Sequence, residues 1–90
     1  MRFEWNDRKA AANRRKHEVS FDEAAGVFLD PLSVTGDDPD HSLDERRFVT
    51  FGVSSSGRLP VVAHVHCDDV IRIISARRAT RAERKLYEEG

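Results

Sequence analysis

The residues best suited to chemistry are a histidine, His64, and three arginines, Arg72, Arg77 and Arg78. Arg72 sits among Val70, Ile71, Ile73 and Ile74, a β-branched run that suits a buried strand. An arginine there is costly unless something anionic needs it. A histidine titrates near neutrality and can move a proton. Arginine donors fit phosphate oxygens in pairs and can hold the charge of a pentacoordinate phosphate. Together they suit cleavage of an RNA phosphodiester, where the 2′-hydroxyl is the nucleophile and no metal or other cofactor is required. The plainer alternative is a hydrogen-bonded core histidine and an arginine whose stem packs on the sheet.

The elements that must position these groups can be read in order. Phe3 and Trp5 alternate with Arg2 and Glu4, which predicts a short strand. Residues 7–17 form an alanine-rich helix, capped by Asn6 or Asp7 and decorated by Arg8, Lys9, Arg14, Arg15 and Lys16. Ser20 and Glu23 have capping-box spacing, with Val19 and Ala24 as the staple. Phe21, Ala24, Ala25 and Phe28 give that second helix one apolar face, and Asp30-Pro31 stops it. Residues 32–35 predict a short strand and 36–42 a loop. Strands follow at about 46–54, 59–66 and 69–75, the first two joined by a Ser54–Gly57 turn. Thr80 and Glu83 form another capping box, which starts a helix over 81–89 that can bury Leu86. The fold class is therefore α+β, with one domain over 1–90. The order is a short strand, two helices, an antiparallel meander of three to four strands and a C-terminal helix, with helices covering one sheet face and the other face partly open.

Register decides which side chains meet. A three-residue turn after His66 sets His64 opposite Arg72 and aligns Val65 and Ala63 with Ile71 and Ile73. A two-residue turn at Asp68-Asp69 pairs His64 with Ile73 and Val65 with Arg72, mixing polar and apolar residues on both faces. The first register is expected, because a one-residue slip is penalised when one face is buried. It places His64 beside Arg72 on the open face. Arg77 has the opposite parity from Arg72, and joins it only if the strand twists or breaks near Ser75.

Other constellations carry less. His41, His64, His66 and Cys67 lack a recognised zinc spacing. Glu45 can be a general base or can pair with Arg47. Tyr87 can reach the site or the core. Lys9, Arg14, Lys16 and Arg78 can hold RNA phosphates or can simply be solvated. The 90 residues carry a net charge of −1. That near-neutral total hides a partition of +3 over 1–20, −8 over 21–45 and +4 over 46–90. Two basic ends folded together would make a surface that steers polyanions. The acidic segment could repel RNA or bind a partner. A single cysteine excludes an intrachain disulfide framework. With no signal peptide and no membrane-length apolar run, a cytoplasmic protein is expected.

The chain resembles the BrnT toxins of bacterial type II toxin–antitoxin systems. The resemblance rests on Phe3-Glu4-Trp5 with Lys9, Asn13 and Lys16-His17; on Val19-Ser20-Phe21 with Glu23-Ala24; on Phe28, Asp30-Pro31, Asp38-Pro39 and His41-Ser42; and on Glu45, Arg47-Phe48, Gly52 and His64. Its most specific piece is Arg72-Ile73-Ile74-Ser75-Ala76-Arg77, followed by Glu83 and Tyr87. It implies a RelE-like fold and a ribonuclease that halts translation. It also implies a ribbon–helix–helix antitoxin, BrnA, that silences the toxin and contacts operator DNA. The matched polar positions are Glu45, Arg47, His64, Arg72, Arg77 and Tyr87. Asn6, Glu18 and Pro60 depart from the pattern, and Glu18 replaces a glycine that usually ends the first helix. A different class of function, a non-catalytic module that binds nucleic acid or protein, fits the same basic surface.

Overall fold

The computed structural model describes residues 2–38 and 46–89. Five strands form one mixed sheet in the order β1-β5-β4-β3-β2: β1 (Arg2–Glu4), β2 (Val34–Asp37), β3 (Arg47–Phe51), β4 (Pro60–Cys67) and β5 (Val70–Arg78). The meander β2 to β5 is antiparallel, and β1 joins β5 in parallel. One more strand is present than the predicted meander alone supplies. Pro60 begins β4, where its missing N–H costs least.

Helix α1 (Asp7–His17) is capped by the Asn6 side chain, which accepts from Lys9 N–H at 3.0 Å. It ends on Glu18, which takes the left-handed conformation at φ 61°. The turn thus keeps the shape a glycine would give it, against the preference of an L side chain. Helix α2 (Phe21–Gly26) starts on Ser20, whose hydroxyl accepts from Glu23 N–H. It runs into a 3₁₀ turn at Val27–Leu29. The core lies between these helices and the inner sheet face. Val19, Phe21, Ala24 and Val27 pack there on Val62, Ile73 and Ala76, with Trp5 edge-on to Phe21. Each of the larger aliphatic or aromatic side chains buried there contributes about 1.5–3 kcal/mol.

Along β5 the partner of α1 is backbone. Asn13 Nδ2 donates to Ala76 O at 2.8 Å and to Val19 O at 3.0 Å, and Ala76 N–H donates to Asn13 Oδ1 at 3.1 Å. One side-chain amide thereby completes β5 where β1 has ended.

The expected register between β4 and β5 is corrected. The turn is the two-residue one at Asp68-Asp69, with Asp68 at φ 57°. His64 therefore faces Ile73, and Val65 faces Arg72. Two features make this register tolerable. Thr50 and His66 satisfy His64 inside the core. A bulge follows, because His64 pairs with Ile73 and Ala63 with Ser75, leaving Ile74 as an extra residue on β5. The bulge resets the alternation, so that both Ile73 and Ala76 point into the core.

Helix α3 (Arg81–Glu89) has its predicted bounds, and its capping box is complete. Glu83 N–H donates to Thr80 Oγ1, and Thr80 N–H donates to Glu83 Oε1. It does not bury Leu86, which is 60% exposed. No residue of α3 is buried. Arg77–Glu83 holds it to β5 at one end, and Tyr87 near the other end meets Asp30 and Phe51.

Candidate functional site

The outer sheet face carries one row built by strand pairing. Glu4 pairs with Arg72, Arg72 with Val65, and Val65 with Arg47. Paired residues share a face, so four strands set these side chains side by side. Val65 is only 6% exposed, consistent with the stems of flanking arginines covering it. Beyond Glu4 the chain turns into α1, which brings Lys9 to the same place. The result is a cleft of about 460 Å³ lined by Glu4, Trp5, Asn6, Lys9, Arg47, Arg72, Ile73 and Ile74.

Three cations converge on this cleft. Arg72 Nε donates to Glu4 Oε1 at 3.2 Å, with both side chains about half exposed. The terminal nitrogens of Arg72 bond no other described residue, so its outer fork is open to a bidentate anion. Half-buried Trp5 also lines the cleft, and its ring makes a T-shaped contact with Phe21. Glu4 and Trp5 are members of the site that spacing did not single out. The strand alternation at residues 2–5 and the family pattern there were the available signals.

His64 lies on the other face, which corrects its expected place beside Arg72. It is fully buried between Phe28 and Phe48. Its Nε2 bonds Thr50 Oγ1 at 2.7 Å and its Nδ1 bonds His66 Nε2 at 3.1 Å. Burial, and second the neighbouring His66, push its pKa down to about 4, so the ring is neutral near pH 7. Arg77 does share the outer face with Arg72, because the bulge at Ile74 supplies the break its position requires. It is nevertheless held in a bidentate pair by Glu83, at 2.7 and 2.8 Å, and lies outside the cleft. Tyr87 points elsewhere, donating to Asp30, and this raises its pKa. Arg14 and Lys16 are exposed on α1, and Arg78 pairs with Glu18 at 3.1 Å. Glu45 and His41 lie outside the described residues. No group of three or more potential metal ligands occurs among the described residues.

A model of the family described as "Ribonuclease toxin, BrnT, of type II toxin-antitoxin system" matches residues 5–83. The chain belongs to the BrnT family. Among solved structures it is similar to the Brucella abortus ribonuclease toxin, BrnT, determined at 1.1 Å. That match has a TM-score of 0.67 at 22% identity, covering 90% of this chain and 99% of the other. At that identity it speaks to the fold, and it bears out the α+β arrangement read from the sequence. No curated protein matches the chain. Membership of the BrnT family makes this a ribonuclease toxin of a type II toxin–antitoxin system, and such a system implies an antitoxin partner. Among the described residues no helix is long and apolar enough to cross a membrane.

Proposed function

We propose that the chain is a metal-independent endoribonuclease that cuts RNA at the Lys9–Arg47–Arg72 cleft and so halts translation in the cytoplasm. The observation that carries this reading is the convergence of three cations from α1, β3 and β5 on one open cleft. Arg72 and Arg47 hold the scissile phosphate and stabilise its charge in the transition state. Lys9 binds a neighbouring phosphate, and Trp5 offers a face for a base. Arg14, Lys16 and Arg78 extend the basic path. The RNA supplies its own nucleophile, so the chemistry is complete without a metal. A BrnA-type ribbon–helix–helix antitoxin silences the toxin and carries the contact with operator DNA. Purified protein is expected to cleave single-stranded RNA in EDTA. Arg72→Ala is expected to lower the rate about 10²–10³-fold with unchanged circular dichroism. A folded Arg72→Ala protein at full activity would refute the site.

One observation favours a second reading. The group best suited by its ordinary pKa to move a proton, His64, is buried on the far face. A module that binds RNA without cutting it would look the same there. Incubation with total RNA separates the two, since only the first yields shorter fragments.

A further inference from the structure

We infer that Glu4 is the general base of the cleft. The inference rests on the proposed RNA cleavage at that site and supplies the proton acceptor it needs. The acceptor must share the outer face with the arginines and be open to substrate. His64 fails on both counts. Among the described residues that line the cleft, Glu4 is the single acid. Strand pairing with Arg72 fixes its place, and the side chain remains 51% exposed. Its Oε1 accepts from Arg72 Nε, while Oε2 has no partner among the described residues. Other acids have work elsewhere. Glu23 bonds Ser54, Ser56 and Arg58, Glu83 bonds Arg77 and Thr80, and Asp30 bonds Val53 and Tyr87.

The step balances as follows. Glu4 Oε2 takes the proton of a ribose 2′-hydroxyl. The 2′-oxygen forms a bond to the adjacent phosphorus, and the phosphorus–O5′ bond breaks. The leaving 5′-oxygen takes a proton from solvent water. The products are a 2′,3′-cyclic phosphate and a 5′-hydroxyl. As Glu4 becomes neutral its hold on Arg72 weakens, and Arg72 turns its charge to the phosphate when that charge peaks.

Single-turnover cleavage of a short single-stranded RNA tests this, with binding of its 2′-O-methyl analogue measured in parallel. Glu4→Gln is expected to lower the rate at saturating RNA at least about 100-fold while the analogue's Kd changes less than about threefold. Added formate is expected to restore part of the rate to Glu4→Ala and to leave the wild type unchanged. A rate for Glu4→Gln within about threefold of wild type, or a loss that simply follows weaker binding, overturns the assignment. Wild-type protein that binds the analogue and cuts nothing overturns the proposed cleavage and this assignment together. Wild-type cleavage with an undiminished Glu4→Gln overturns the assignment alone.

Discussion

Asn13 does with one amide what a missing strand would do with a residue of backbone. It accepts from Ala76 N–H and donates to the carbonyls of Ala76 and Val19. Asn13→Ala strands those groups in a buried place. Each orphan costs about 1–3 kcal/mol, so a loss of about 3 kcal/mol or more is expected in urea unfolding. His64 sets a second residue-scale expectation. Its folded pKa of about 4 lies below the ordinary 6.5, so the unfolded chain binds the extra proton between those values. Stability from this group is full above pH 6.5 and is lost as pH falls toward 4, by at most about 3 kcal/mol. Glu23, held at about 2 chiefly by Arg58, adds a loss that begins only below about 4.5. His64→Gln is expected to flatten the upper window and leave the lower one, as read by urea midpoints from pH 7 to 3. At this scale the sequence was legible where spacing is local: Thr80 and Glu83, Ser20, Asn6. It was misleading for His64, because continuity of apolar faces was assumed without the bulge that rescues the other register.

Among the elements, β5 is the one whose path could not be read as a plain alternation. Its extra residue, Ile74, places Arg72 and Arg77 on one face although their numbers have opposite parity. The helix and strand limits were otherwise close, since caps and turn residues mark them. What the caps could not tell is how firmly an element docks. Helix α3 has both halves of its capping box and buries nothing. Tyr87→Phe removes the bond to Asp30, and amide exchange over 81–89 is expected to quicken while that of β4 and β5 holds. Gly52 marks the opposite case. A Cβ there would lie 2.9 Å from Ser33 Cβ and 3.0 Å from Asp30 Oδ2, so Gly52→Ala is expected to cost about 1–3 kcal/mol in the same unfolding assay.

At the scale of the whole molecule, the two basic ends of the chain do meet, through β1 beside β5 and Lys9 beside Arg72. Three phosphate contacts there predict a slope of about −2 in a plot of log binding constant against log salt. Lys9→Ala is expected to lower that slope by about 0.7. The proximity was suggested by charge partition. The cleft itself needed the parallel pairing of β1, which joins residues 68 positions apart and leaves no local trace.

The shared carboxylate of Glu83 has a consequence in time. It caps the first turn of α3 and grips Arg77 at the end of β5. A nine-residue helix with no buried side chain is too short to persist by itself. Its first turn gains its anchor only after the sheet has brought Arg77 to the outer face. Helix α3 is therefore expected to settle after the sheet and to leave before it. Pulse-labelled amide exchange during refolding should show protection over 81–89 arriving after that over β4 and β5.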